Sequence, residues 1–263
     1  MIRLFISCYP EGNSDRLQEL TLALERNLVL LEIDAICVFL EGVDSPWIDS
    51  PRLNTRAITH RPSYCDFFGW ANELVSSAND ISLIANSDIA LDDNLRMLTR
   101  FSWPEKTVMA LSRWDVLADG TSQIFEHGDS QDCWLFRGRI PEVPGNFPLG
   151  VYDCDNKIAG ELQQAGYQVI NPAFSIRTWH HHQSGFRSYE EKPAPDYGIR
   201  PPFLYVEPDN LWGLFKAWAV KRQLKLDYLP WRMTTKRFWR YPVPALMKRA
   251  WNKGLRILRN RHQ

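Results

Sequence analysis

Asn79-Asp80-Ile81-Ser82-Leu83-Ile84-Ala85-Asn86-Ser87-Asp88-Ile89-Ala90-Leu91-Asp92 is the stretch on which the rest of the chain turns. Ile81 to Ala85 is an unbroken apolar run with polar residues at both ends, which predicts a buried central strand of a parallel sheet. The run leads directly into Asn86-Ser87-Asp88. Open α/β sheets bind their ligands outside the carboxyl ends of such strands. An amide and a carboxylate two residues apart at that point can reach one cation or one ribose together. Magnesium and manganese suit such a place, because they take oxygen ligands and leave much of their shell to phosphate and water. Asx residues also end strands by forming turns, and these three residues alone do not separate the two readings.

Upstream, Arg3 to Tyr9 is β-prone and breaks at Pro10-Glu11-Gly12. A helix capped by Ser14-Asp15 follows, with Leu17, Leu20, Leu24 and Leu28 at helical spacing. Ala35 to Leu40 is a second strand, so the opening reads as a right-handed parallel strand–helix–strand unit. Val43 to Pro62 reads as a loop, and a helix carrying Phe67, Phe68, Ala71, Leu74 and Val75 returns the chain to the central strand. Downstream strands are expected at Thr107–Ser112, Cys133–Phe136 and Tyr167–Ile170. A helix opens near Asp155 and stops at Gly166 in a left-handed cap.

Composition bounds the function. The 263 residues are 44% apolar and 13% aromatic, enough for one packed α/β domain with an appendage. Five cysteines (Cys8, Cys37, Cys65, Cys133, Cys154) have no paired metal spacing and read as reduced, buried thiols of a cytoplasmic protein. The first apolar stretch is too short for a signal-peptide core, and no run is long enough to span a membrane. Acidic and basic residues balance at 31 each, yet residues 211–263 hold 14 Lys/Arg against Asp227 alone. Residues 244–261 form a basic amphipathic pattern with Trp251, which suits either an anionic membrane face or a helix docked on the catalytic domain. Nucleic acid is disfavoured, since no recognition motif accompanies the charge.

In order, these features resemble the A-type glycosyltransferases, and within them the family-two-like enzymes, over Arg3 to about Arg187. The resemblance rests on Arg61 and Asn72 ahead of the central strand and on Asn86-Ser87-Asp88 in the place of a D-x-D triplet. It continues with Asp153-Cys154-Asp155-Asn156 opening a helix that ends in Ala165-Gly166-Tyr167, and with a late His among His180-His181-His182.

It implies a mostly parallel Rossmann-like sheet flanked by helices over residues 1–200, with a basic helical extension over 201–263. It also implies a nucleotide-diphospho-sugar donor, a saccharide or lipid-linked acceptor, and Mn2+ or Mg2+. Asp155 takes the position of the base, with a helix cap as its other reading. Cys8, Tyr9, Arg61, Asn72, Asn86, Asp88 and Arg113 fall to the donor. Asp132, Gly150 and Asn156 fall to the acceptor. Asp88 with His180 or His182 falls to the metal, since alternation places both histidines on one face of an extended segment. Asn86 departs from the pattern and removes one carboxylate. That departure keeps a second class open: a non-catalytic nucleotide-sugar-binding protein that docks on membrane or nucleic acid through its tail.

Overall fold

A computed structural model describes residues 1–117, 119–181 and 197–211. The elements run β1 (Ile2–Cys8), α1 (Ser14–Val29), β2 (Ala35–Glu41), β3 (Leu53–Ile58), α2 (Tyr64–Leu74), β4 (Ile81–Ala85) and β5 (Ile89–Ala90). A 3-10 turn at Asp93–Arg96 leads into α3 (Met97–Arg100), then β6 (Thr107–Leu111), β7 (Trp114–Val116), β8 (Ser122–Ile124) and β9 (Cys133–Arg137). The described chain continues with α4 (Cys154–Gln164), β10 (Gln168–Ile170) and β11 (Trp179–His180).

Seven strands form the main sheet in the order β10-β6-β9-β4-β1-β2-β3. All neighbours pair in parallel except β9, which is antiparallel to both β4 and β6. The expected α/β architecture, a mostly parallel central sheet flanked by helices, is present. β4 stands fourth of seven, and all five of its residues are buried. Burial on both faces explains its apolar run: Leu83 and Ile81 enter one core, with Leu4, Ile36 and Leu135. Ile84 enters the other, among Phe5, Phe67, Trp70 and Trp134. Such a strand reads as a block of apolar residues rather than as an alternation.

Three local readings need correction. Val43–Pro62 is not all loop, because β3 extends the sheet in parallel with β2. Its burial runs intermediate, four exposed, intermediate, so an edge strand with little apolar signal was hidden in the sequence. The α1 cap is Asn13, whose side chain accepts from the amides of Asp15 and Arg16. Asp155 is not a cap either: Asp153 holds that position at φ +62° and makes no side-chain cap bond. The left-handed stop at Gly166 is present at φ +83°.

A second, four-stranded sheet, β5-β11-β7-β8, sits beyond the ends of β4 and β6. Residues 197–211 return across α4, with Leu204 Nα donating to the carbonyl of Asn156 and Val206 Nα to that of Gly128. Gly160 is required there, since a Cβ on it would lie 2.4 Å from the Pro202 carbonyl oxygen. Among the described residues no helix is long and apolar enough to cross a membrane. His182 and the basic pattern over 244–261 lie outside the described residues.

Candidate active site

The parallel strands deliver their carboxyl ends to one edge of the sheet, and a cleft of about 650 Å3 opens there. β1 and the residue after it bring Ser7 and Tyr9, β2 ends in Glu41, the turn after β4 brings Asn86-Ser87-Asp88, and the chain after β6 supplies Arg113. β9 runs the other way, so its amino end brings Asp132 to the same edge. Leu149 to Asp153 and Asp155 close one side, and His180 of the second sheet closes the other.

The triplet after β4 is pinned from three directions. Asn86 donates from its backbone and from Nδ2 to Asp132, each at 3.0 Å. Ser87 Oγ donates to the Ser7 carbonyl at 2.5 Å, tying the ends of β1 and β4 together. Asp88 Oδ2 takes Arg16 Nη2 at 2.5 Å and His180 Nε2 at 3.3 Å. His180 Nδ1 lies 2.8 Å from Asp115 Oδ1, which also accepts from Arg113 Nε at 2.8 Å. Arg113 Nη1 then reaches Asp132 Oδ2 at 3.2 Å, and its guanidinium lies over the Phe125 ring. A continuous polar chain thus runs Arg16–Asp88–His180–Asp115–Arg113–Asp132–Asn86.

Protonation follows from this chain. Burial alone would lower the His180 pKa, but the hydrogen bonds to Asp115 and Asp88 overcome it and raise it to about 9. His180 is therefore an imidazolium at neutral pH, with both ring nitrogens donating. Burial would raise Asp88, yet His180 and Arg16 hold it well below the usual carboxylate range. Asp155 goes the other way. Burial and the charge of Asp132 raise it to about 7, against donors from Cys154, Tyr64 and the Gln131 backbone. Two carboxyls on one cleft are thus driven apart, one permanently charged and one poised near neutrality.

The placement of the expected residues is uneven. Tyr9, Arg61, Asn86, Asp88, Arg113, Asp132, Gly150, Asp155 and His180 all line the cleft. Arg61 donates to the carbonyls of Leu149 (3.2 Å) and Gly150 (3.0 Å), so it fixes that loop. Gly150 has φ +72°, and a Cβ there would press on both Arg61 Nη2 and Asn86 Oδ1 at 3.1 Å. Three expected contacts stand behind the cleft instead. The Asn72 amide clamps the backbone of Ile140 in both directions. Cys8 is fully buried in the core, where desolvation pushes its thiol up to about 11. Asn156 is buried, with Nδ2 on Asp153 and its carbonyl taken by Leu204. Arg16, Glu41, Tyr64 and Asp115 belong to the site and were not singled out from the sequence. Only Glu41, closing a strand at the same edge, carried a local signal.

A divalent cation was expected at Asp88 and a histidine. Among the described residues no three of His, Cys, Asp and Glu converge as a ligand set. Two observations nevertheless fit a cation. Asp88 Oδ1 is buried with no hydrogen-bond partner, an open hard-oxygen ligand. The cleft lining also carries seven carboxylates against three guanidiniums and the His180 imidazolium, so a diphosphate entering it needs added positive charge.

No protein-family model matches the chain, and no curated protein matches it in sequence. Solved structures match in backbone layout. The mannosyltransferase PcManGT of Pyrobaculum calidifontis, in complex with GDP-Man and Mn2+, is 11% identical at TM-score 0.44. That match covers 73% of this chain and 58% of the mannosyltransferase. S. aureus TarS residues 1–349 is 12% identical at TM-score 0.40, covering 68% of this chain and 60% of that one. The 2-C-methyl-D-erythritol 4-phosphate cytidylyltransferase of Francisella tularensis is 11% identical at TM-score 0.39, covering 65% and 89%.

Proposed function

We propose that the chain is a glycosyltransferase that moves a sugar from a nucleoside-diphosphate donor, in our reading a uridine diphosphate sugar, to a saccharide or lipid-linked acceptor. The observation that carries this reading is the meeting of Asp88, His180, Arg113, Asp132 and Asp155 on one cleft at the carboxyl edge of the sheet. In the proposed reaction the acceptor hydroxyl oxygen bonds to the anomeric carbon and the bond from that carbon to the diphosphate oxygen breaks. Asp155 takes the hydroxyl proton as the attack proceeds, a role suited to a carboxylate poised near the working pH. A single displacement of this kind inverts the anomeric carbon.

The nucleoside lies in this reading along Tyr9 at the end of β1, with its diphosphate toward Asn86 and Asp88. Manganese or magnesium would be held through Asp88 Oδ1, with phosphate and water completing its shell. Bound there, it supplies charge that stabilises the leaving diphosphate. His180 joins such a site only after losing its Nε2 proton, because an imidazolium has no lone pair to give. The basic residues beyond 211 would bring the enzyme to an anionic membrane carrying a lipid-linked acceptor. Liposome sedimentation of the full chain, compared with one lacking residues 244–263, tests that docking.

The enzyme reading is tested by nucleoside diphosphate release from a panel of sugar nucleotides with manganese and oligosaccharide acceptors. Release that Asp155→Asn suppresses supports it. Binding without release by any acceptor would favour the non-catalytic nucleotide-sugar-binding alternative.

A further inference from the structure

We propose that Tyr64 is a positioning residue for the base: its hydroxyl donates to Oδ1 of Asp155 and fixes the carboxylate that receives the acceptor proton. The proposal rests on the reading of Asp155 as base and deepens it.

The case begins with the choice of tyrosine. Tyr64 is fully buried, with its ring set among Phe68, Trp134 and Phe147 at centroid separations of 5.9, 6.2 and 5.4 Å. A phenylalanine would fill the same aromatic nest without bringing a hydroxyl out of water. That hydroxyl has two partners, Asp155 Oδ1 at 3.1 Å and Cys154 Sγ at 3.8 Å. The first is an ordinary hydrogen bond, and the second is weak.

Both side-chain donors on the carboxylate fall on the same oxygen, since Cys154 Sγ also lies 3.5 Å from Oδ1. The donor itself is held rigidly. Tyr64 opens α2 directly after Ser63, which forms a reciprocal capping box with Asp66. The Tyr64 amide also donates to the Phe147 carbonyl, fixing α2 to the loop that leads into the Asp155 helix. Burial and the nearby Cys154 and Asp155 hold the phenol protonated, so it remains a donor at any working pH.

Three ionisable groups bear on Asp155: Tyr64 from α2, Cys154 from its own helix and Asp132 from the start of β9. Among the described residues Tyr64 and Cys154 donate to it from side chains and Gln131 from its backbone amide, while Asp132 repels its charge. Removing the tyrosine hydroxyl withdraws the shorter donor and makes ionisation of Asp155 harder.

The test titrates Asp155 by 13C NMR of the full chain labelled at the aspartate carboxyl carbons, with Asp155→Asn to assign the signal. Tyr64→Phe is expected to move the Asp155 midpoint upward by about half a unit or more, with near-wild-type thermal melting. 3-Fluorotyrosine at position 64, a stronger donor that keeps the fold, is expected to move it downward. An unmoved midpoint in both proteins overturns the proposal. In transfer assays the acid limb of the kcat/KM profile follows the same shifts. If the midpoint moves while Asp155→Asn keeps full transfer activity, the base reading fails and the Tyr64–Asp155 contact stands, so the two failures are distinguishable.

Discussion

His180 Nε2 stands 3.3 Å from Asp88 Oδ2, joining the last described strand to the loop that leaves the central strand. The contact closes the cleft between the two sheets, because β11 pairs with β5 and β7 of the smaller sheet, whereas Asp88 follows β4 of the larger one. A cationic imidazole between two carboxylates, Asp88 and Asp115, supports both the fold and the charge pattern of the site.

The pair makes stability depend on pH with a definite sign. His180 titrates at about 9 in the folded protein and near 6.5 unfolded, so its contribution is complete below about pH 6.5. It is lost as pH rises through 9. Asp88 is depressed in the fold, so its contribution exists above the ordinary carboxylate range and disappears on acidification. His180→Gln is therefore expected to melt several degrees below the wild type at pH 6, with the gap closing above pH 9. Scanning calorimetry across that range checks it.

Asp155 has the opposite linkage to Asp88. Between about pH 4 and 7 the folded state keeps a proton that the unfolded chain has released, so stability falls as pH rises through that window. Asp155→Asn is expected to raise the melting temperature by a few degrees at pH 8 and by little at pH 4. The same variant should lower transfer by about 10²–10⁴-fold. Wild-type kcat/KM should fall on the acid side with a midpoint near pH 7.

Arg16 competes for the carboxylate that the cation needs, since its Nη2 lies 2.5 Å from Asp88 Oδ2. Arg16→Met is expected to strengthen manganese binding to the nucleotide-free protein several-fold, read by the electron paramagnetic resonance signal of free Mn2+. An unchanged affinity would place the cation away from Asp88.

Arg113 serves two carboxylates at once, Asp115 at 2.8 Å and Asp132 at 3.2 Å, with only 13% of its side chain exposed. Arg113→Met leaves Asp132 without a cationic partner and Asp115 with His180 alone, and is expected to cost about 3 kcal/mol, the scale for stripping one partner from a buried ion pair. Urea unfolding at pH 7.5 reads this directly.

Much of the fold was legible because its signals are local. β1, α1, β2, α2 and β4 announce themselves by apolar blocks, helical spacing and the turn residues between them. β3 was not legible, because four of its six residues face solvent. β5, β7, β8 and β11 are two or three residues long, too short for any period to register. The antiparallel direction of β9 was equally silent, since a strand buried on both faces looks the same in either sense. In the site, Asp88, Asp132, Asp155 and His180 stood out at element ends. Arg16, Tyr64 and Asp115 did not, because each acts through a partner far along the chain.

The central claim is that this cleft binds a nucleoside diphosphate through a cation held at Asp88. Calorimetric titration of UDP, GDP and CDP, each with and without manganese, tests it on the wild type and on Asp88→Ala. The account predicts manganese-dependent binding of one nucleotide, UDP in our reading, and its loss in Asp88→Ala. Binding of none, or binding that is indifferent to manganese and to Asp88→Ala, would contradict it.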